Sequence, residues 1–186
     1  LEGSSRLSHY LDLLNFQEGM YPANYNKLRA LENHDQPRIC SFVKDEKALV
    51  NYTAFLYFLK GTTLIYAGQE FENDNRPSLF EKEPIDRASG RDLSGLMRGL
   101  YEIKQDFGSE DYFSASADDG HDIAVLERGG NGRRFIGVFS LRGESADVSV
   151  GVPYGRYKNL IDGSPVNIRY GKLRCSGEPV IIEVKE

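Results

Sequence analysis

The side chains best suited to chemistry are concentrated in one short segment that follows an apolar run. Residues 33–38 read Asn-His-Asp-Gln-Pro-Arg. An imidazole next to a carboxylate can hydrogen-bond a polar ligand or transfer a proton near neutral pH. Pro37 disfavours helix at the residue before it, so we expect the segment to lie where a strand passes into a loop. By itself, His34 beside Asp35 also fits an ordinary surface or capping pair.

The neighbouring elements decide where this segment can lie. Strands are expected at Leu28–Leu31 and, from its β-branched and aromatic residues, at Thr62–Tyr66. Between them, Asp45 is suited to cap a helix that Gly61 ends. The buried stripe of that helix should consist of Ala48, Tyr52, Phe55, Leu56 and Leu59. A helical crossover makes the two strands parallel, so their carboxyl ends meet at one edge, where α/β barrels place their active sites.

Two more helices and a long loop complete the first half of the chain. Apolar spacing predicts the helices at Ser5–Phe16 and Asp92–Gln105. The loop from Ala67 to Gly90 is too long for a simple connector, which indicates a functional role. Its oxygen-rich run, Glu72–Asn75, could suit Ca²⁺ but lacks the glycine and terminal glutamate of a calcium loop. We therefore expect a solvated loop and no metal.

The pattern changes near residue 108, where helical periodicity gives way to short alternating runs. The strands expected there are Tyr112–Ala117, Ile123–Glu127, Phe135–Ser140, Val148–Val152, Arg156–Ile161, Val166–Tyr170 and Val180–Val184. Glycine-rich turns separate them. Regular short strands at this spacing predict an antiparallel β-sandwich over residues 109–186, following an α/β domain over residues 1–108.

Composition argues against several kinds of partner. The 186 residues carry a formal net charge of −5 with scattered basic residues, so nucleic acid is not an expected partner. No apolar run approaches the roughly 20 residues of a membrane helix, so no membrane association is expected. Cys40 and Cys175 fall in different predicted domains, which favours buried thiols over a disulfide. No motif predicts a cofactor, and no targeting signal indicates a compartment.

A second motif carries a family resemblance. Residues 66–70 read Tyr-Ala-Gly-Gln-Glu. A strand followed by Asn-His-Asp, then a helix, then a strand ending in Tyr-x-Gly-Gln-Glu resembles the seventh and eighth strands of the (β/α)8 barrel in the α-amylase family of glycoside hydrolases. Residues 79–86 resemble the loop after strand eight, Asp92–Gln105 resembles the last barrel helix, and residues 157–163 resemble part of the C-terminal sandwich. The resemblance therefore implies the C-terminal fragment of a barrel followed by an antiparallel β-sandwich.

The resemblance also implies residue roles. Asp35 matches the carboxylate that hydrogen-bonds sugar hydroxyls and stabilises the transition state, and His34 matches the imidazole that binds the same sugar. Arg38 is counted with the substrate-binding residues, although a brace for the Asp35 loop is the favoured alternative. In the family pattern the residue at the position of Glu70 is more often a structural residue at the end of the strand than a second catalytic acid.

Two residues of the chain depart from the family pattern. Thr63 stands where proline is common, and Arg87 stands where an aromatic residue is frequent. The chain contains no tryptophan, so sugar stacking falls to Tyr66 or Phe71. Thr63 should matter little to its strand, whereas the loss of an aromatic residue at position 87 leaves the substrate preference open.

The family's nucleophile and acid/base carboxylates lie on strands four and five, upstream of every residue in this chain. Retaining glycosidases need those two groups about 5–5.5 Å apart. The resemblance thus implies an α-glucan or maltooligosaccharide substrate, cleaved with retention by the complete enzyme, and an inactive chain in isolation. The alternative is a non-catalytic amylase relative or a carbohydrate-binding or structural domain. Two parallel strands cannot close a barrel, so the first hundred or so residues should repack, pair with another copy, or remain with the missing N-terminal barrel portion.

Overall fold

The computed structural model describes residues 5–108, 112–130 and 132–185, in which helices and a small parallel sheet are followed by two antiparallel sheets. The first part contains α1 (Leu7–Met20), β1 (Leu28–Arg29), α2 (Ile39–Phe42), α3 (Glu46–Phe58), β2 (Thr62–Thr63) and α4 (Ser94–Gln105). Among the described residues, no helix combines the length and apolar character needed to cross a membrane.

The strands β1 and β2 pair in parallel, as neighbouring strands of an α/β barrel do. The two strands are parallel, with Leu28 opposite Thr62 and Arg29 opposite Thr63. Each forms only two ladder pairs, fewer than the sequence predicts, and the described chain supplies neither strand with a second neighbour. A lone two-stranded ladder has little hydrogen bonding to extend it.

The helix between these strands begins and ends as its sequence predicts. The Asp45 side chain accepts a hydrogen bond from the backbone nitrogen of Ala48 at 2.8 Å, which satisfies a free N–H of the first turn. After the helix, Gly61 has a φ of +108°, and a Cβ there would lie 2.3 Å from the carbonyl oxygen of Lys27. Glycine at this position therefore lets the chain turn sharply into β2.

The antiparallel part has eight strands among the described residues. They are β3 (Tyr112–Asp118), β4 (Ile123–Gly130), β5 (Arg133–Ser140), β6 (Ala146–Ser149), β7 (Gly155–Lys158), β8 (Pro165–Arg169), β9 (Lys172–Cys175) and β10 (Val180–Lys185). One sheet has the order β10-β5-β4-β3 and the other β6-β9-β8-β7. Sequence analysis missed β9, because its four residues alternate Lys and Arg with Leu and Cys and lack the β-branched and aromatic residues typical of a strand.

The first antiparallel sheet is buried on both faces. On β5, Phe135 and Phe139 point toward the helices, where Phe139 packs against Phe55 and Phe58 of α3. The alternate residues, such as Ile136, belong to the cluster shared with the second sheet. This sheet therefore joins the helical layer to the outer sheet, and three layers share two adjoining cores.

A buried amide reinforces the contact between α3 and the strands. Asn51 is fully buried, donates to the carbonyl oxygen of Gly177 at 2.8 Å, and accepts from the backbone nitrogen of Ser140 at 2.8 Å. Both partners belong to the antiparallel part, and Ser140 is also fully buried.

Replacing this amide should destabilise the fold. Asn51→Ala leaves a buried N–H and a buried carbonyl without partners, so we expect the free energy of unfolding to fall by about 2–4 kcal/mol. Urea unfolding monitored by circular dichroism measures the loss. Asn24→Ala, at an exposed asparagine, is the matched control and should change the free energy by less than about 0.5 kcal/mol. Equal effects of the two substitutions would contradict a connecting role for Asn51.

Three cations cap the carboxyl end of α3. The carbonyl oxygens of residues 57–60 accept from Lys104 (two bonds), Arg128 and Arg29 at 2.6–3.3 Å. The negative end of the helix dipole favours positive charge at this position. Burial opposes it, and burial together with the charges of Arg128 and Arg29 lowers the pKa of Lys104 to about 7.

The lowered pKa predicts a pH dependence of stability. Above pH 7 the folded chain releases the Lys104 proton, whereas the unfolded chain keeps it to about pH 10. Because the unfolded state then binds more protons, this group makes the free energy of unfolding rise with pH, by at most about 1.4 kcal/mol per unit. The cost of burying the charged Lys104 in the folded state is therefore fully present below pH 7.

Lys104→Met should remove that dependence. Unfolding free energies of the wild type and the variant, measured from pH 6 to pH 9, are subtracted so that other titrating groups cancel. We expect the difference to be constant below pH 7 and to move in favour of the wild type above it. A difference that stays constant over the whole range would show that the pKa of Lys104 is not lowered.

Candidate functional site

The predicted motif forms an exposed polar corner, residues 33–36, in the loop that follows β1. The Asn33 side chain accepts hydrogen bonds from the backbone nitrogens of Asp35 and Gln36 at 2.8 and 3.1 Å. This is an Asx-type turn, in which the short side chain folds the backbone locally. The side chains of His34 and Asp35 are 60% and 72% exposed, and His34 Nε2 lies 3.3 Å from Asp35 Oδ2.

A buried ion pair lies directly beneath the polar corner. Arg38 Nη1 donates to Glu32 Oε1 at 2.6 Å, and their side chains are only 1% and 0% exposed. The second carboxylate oxygen of Glu32 accepts from the backbone nitrogen of Ile39 at 2.8 Å, at the start of α2. The residues on either side of the corner are therefore held together by charge-assisted hydrogen bonds.

Arg38 also connects the corner to the loop after β2. Its Nη2 donates to the carbonyl oxygen of Ala67 at 2.9 Å and its Nε to that of Asn75 at 3.1 Å. Its guanidinium carbon lies 4.5 Å from the centroid of the Tyr66 ring. With these contacts and 1% exposure, Arg38 offers a sugar almost no surface. Its contacts fit a brace of the Asp35 loop, which is the alternative that the sequence favours.

Two arginine-mediated contacts were not anticipated from the sequence. Arg76, in the long loop, donates to the carbonyl oxygen of His34 through Nε at 3.2 Å and Nη2 at 3.0 Å. The second contact is the buried ion pair between Arg38 and Glu32. Spacing gave no signal for Arg76, which is 42 residues from His34. The Glu32 signal was available, because an acidic residue at the end of an apolar run needs a partner if it is buried.

The other polar candidates of the long loop are engaged in local contacts. Glu70 accepts from the backbone nitrogen of Gly68 at 2.9 Å. Glu72 pairs with Arg91 at 2.5 Å, and the Asn73 amide donates to the carbonyl oxygen of Asp86 at 2.6 Å. Two members of the oxygen-rich run Glu72–Asn75 therefore have partners within the protein. Among the described residues, no group of three or more His, Cys, Asp or Glu could hold a metal ion.

The two aromatic rings proposed for stacking each face a cation. Tyr66 lies beneath Arg38, and Phe71 has the guanidinium carbon of Arg87 at 5.9 Å from its centroid. Arg87 is the residue that departs from the family pattern. Its charge is therefore placed over one of the rings that the sequence suggested for sugar contact.

The geometry restricts the chemistry of the polar corner. Glu32 and Glu72 are held in ion pairs with arginines, which leaves Asp35 as the exposed carboxylate of the corner. An exposed carboxylate beside an imidazole can accept and donate hydrogen bonds to neighbouring hydroxyl groups of one ligand. The corner is suited to gripping a polyol, and hydrolysis with retention needs two further carboxylates.

A cavity of about 590 Å³ lies elsewhere, near the start of β2 and the end of α4. Gly61, Thr62, Tyr101 and Lys104 are among its lining residues, and the polar corner is not. The cavity is thus at the opposite end of β2 from Tyr66 and the corner. Barrel active sites form at the carboxyl ends of strands, so the corner remains the candidate site.

Family comparisons agree with the order of elements. The model of the alpha amylase catalytic domain matches residues 5–122, and that of the bacterial alpha amylase C-terminal domain matches residues 114–182. The chain belongs to the α-amylase family. Its parallel strand pair is accordingly a fragment of the family's (β/α)8 barrel, and its antiparallel sheets are the C-terminal β-sandwich.

Individual relatives are also α-amylases. A solved α-amylase from Lactobacillus plantarum superposes with a TM-score of 0.87 and 30% identity, covering 98% of this chain and 44% of that one. The maltogenic α-amylase AmyB from Thermotoga neapolitana gives 0.82 and 25%, covering 100% and 47%. Alpha-amylase 2 of Schwanniomyces occidentalis is 30% identical over 136 residues, covering 64% of this chain and 25% of its own length. The chain therefore spans less than half the length of these relatives.

The bracing role of Arg38 predicts a stability defect. Arg38→Met leaves the buried Glu32 carboxylate without its cation, so the free energy of unfolding should fall by about 3–5 kcal/mol. Arg38→Lys should recover little of it, because an ammonium cannot reproduce the planar fork that reaches three separate acceptors. Urea unfolding measures both losses.

His34→Ala is the matched control for the Arg38 variants. Its side chain is exposed and its carbonyl bond to Arg76 is unaffected, so the expected change is within about 0.5 kcal/mol. If Arg38→Met were as stable as His34→Ala, Arg38 could not be the brace of the corner.

Proposed function

We propose that this chain supplies the residues that bind the sugar in the active site of a retaining α-glucan hydrolase. Asp35 accepts hydrogen bonds from hydroxyls of the reacting sugar and favours its distortion toward the oxocarbenium-like transition state, and His34 binds hydroxyls of the same ring. The observation that carries the proposal is that these two side chains lie side by side, exposed, just after a barrel strand and above a buried brace.

The nucleophile and the acid/base residue come from outside this chain in the proposal. An Asp35 carboxylate hydrogen-bonded to hydroxyls is neither a covalent nucleophile nor a proton donor to the leaving group. The exposed position of Asp35 leaves it open to a sugar held between it and carboxylates on neighbouring barrel strands. The chain alone is therefore expected to bind weakly and to hydrolyse nothing.

Exposed apolar side chains support a missing complement to the barrel. On α1, Leu13, Phe16 and Met20 are 49%, 62% and 65% exposed, and on β1 Leu28 is 66% exposed. A strand with one unpaired edge beside such side chains is suited to further barrel elements. We propose the N-terminal portion of a family barrel as the partner, with self-association as the competing arrangement.

A chimera tests the proposed role of Asp35. This chain replaces the matching region of the L. plantarum α-amylase, because the structural match covers 98% of this chain and 44% of that enzyme. We expect the chimera to hydrolyse a maltooligosaccharide, and Asp35→Asn to lower kcat by about 100- to 1000-fold because a preorganised transition-state contact is lost. His34→Ala should chiefly raise KM, since a hydroxyl contact present in both ground and transition states is removed.

Two controls make the chimera decisive. Asp162→Asn, at an exposed carboxylate of the sandwich, should leave kcat and KM unchanged. Circular dichroism establishes that each variant is folded before its kinetics are compared. Full activity of Asp35→Asn, a folded chimera without activity, or hydrolysis by this chain alone would each contradict the proposal.

A further inference from the structure

An unusual tyrosine occupies the turn between β8 and β9. Tyr170 and Gly171 are the two turn residues, and both have positive φ values, 53° and 69°. A two-residue hairpin turn with positive φ at both positions strongly favours Asn-Gly, because asparagine and glycine tolerate the left-handed conformation. A bulky side chain in that conformation is strained.

Nothing in the described chain compensates for this strain by packing. Tyr170 is 98% exposed, so its ring gains almost no burial from the fold. Strained residues of this kind persist where function requires a particular side chain, and the inference runs from the observed outlier to the function. The ring is displayed at the apex of a hairpin, where a ligand can reach both of its faces.

A second exposed tyrosine lies at the same end of this sheet. Tyr154 is 79% exposed and directly precedes β7. Gly155 pairs with Ile168, so Tyr154 lies beside the last residue of β8 and next to the hairpin turn. The backbone nitrogen of Val150 donates to the carbonyl oxygen of Gly171 at 2.8 Å, which holds the segment before Tyr154 against the turn.

We infer that Tyr154 and Tyr170 form an auxiliary α-glucan-binding surface on the sandwich, separate from the polar corner. Tyrosine combines a flat apolar ring, which stacks on the apolar face of a pyranose, with a hydroxyl that stays in water. Asn167 and Arg169 are exposed positions on β8, the strand that leads into the turn at Tyr170, and both side chains can donate to sugar hydroxyls. The choice of α-glucan as ligand rests on the proposed function.

The turn offers a variant that separates binding from folding. Tyr170→Asn removes the ring but places the preferred residue in the left-handed position, so the melting temperature should stay the same or rise. Affinity electrophoresis of the chain in native gels containing amylopectin measures the binding. We expect wild type to be retarded, and Tyr170→Asn and Tyr154→Ala each to weaken the apparent affinity by about tenfold.

Two matched controls identify the surface. Tyr101→Ala removes a tyrosine that is 55% exposed on α4, and Asp162→Asn alters an exposed carboxylate of the sandwich that has no proposed role in binding. Both should be retarded like the wild type. The proposed function can fail independently of this surface. In that case the Asp35→Asn chimera would keep full activity, while retardation in the gel would still depend on the two tyrosines.

The remaining outcomes overturn the inference. Wild type that migrates without retardation, or retardation equal in all variants, removes the basis for a tyrosine surface. Sedimentation velocity tests whether a second copy of the chain binds this surface instead. A dimer that dissociates in Tyr170→Asn and does not respond to amylopectin would assign the tyrosines to self-association.

Discussion

The buried pair of Glu32 and Arg38 is the interaction on which the candidate site depends. Two charges removed from water are tolerated only when each is neutralised and its hydrogen bonds are complete. Here the carboxylate is satisfied by the guanidinium and by the start of α2, and the guanidinium by two loop carbonyls as well. The loops after β1 and β2 are thereby held to one common group. The exposed polar corner above them is therefore held in a defined position, although the side chains of His34 and Asp35 make few contacts with the rest of the protein.

The barrel fragment and the sandwich stabilise each other through a shared sheet. The sheet β10-β5-β4-β3 presents Phe139 to the helices and Ile136 to the outer sheet, so removal of either layer would expose one of its faces. Asn51 adds hydrogen bonds from α3 to the strand region. This arrangement gives a barrel fragment with too few strands to close an apolar surface against which its helices are ordered.

Sequence reasoning succeeded where local chemistry decides structure. The Asp45 cap, the end of α3 shortly before Gly61 and the parallel crossover follow from residue types and spacing, and the structure contains all three. Family membership, suggested by Asn-His-Asp and Tyr-x-Gly-Gln-Glu, is established by the comparisons. The exposure of Asp35 also fits the expected strand-to-loop junction.

The features that sequence reasoning missed depend on long-range partners. Arg38 is buried because Glu32 and two distant carbonyls receive it, which spacing alone does not reveal. β1 and β2 are shorter than their apolar runs because ladder length depends on neighbouring strands. β9 has weak intrinsic strand character and forms because β6 and β8 flank it.

The central claim is that Asp35 and His34 grip a sugar that carboxylates from elsewhere in the barrel cleave. A crystal structure of the chimera with a bound, non-hydrolysable maltooligosaccharide tests it most directly. The account predicts Asp35 and His34 within about 2.6–3.2 Å of hydroxyls on one sugar ring, with two further carboxylates beside its glycosidic bond. A sugar bound between those carboxylates but out of reach of Asp35 and His34 would contradict it.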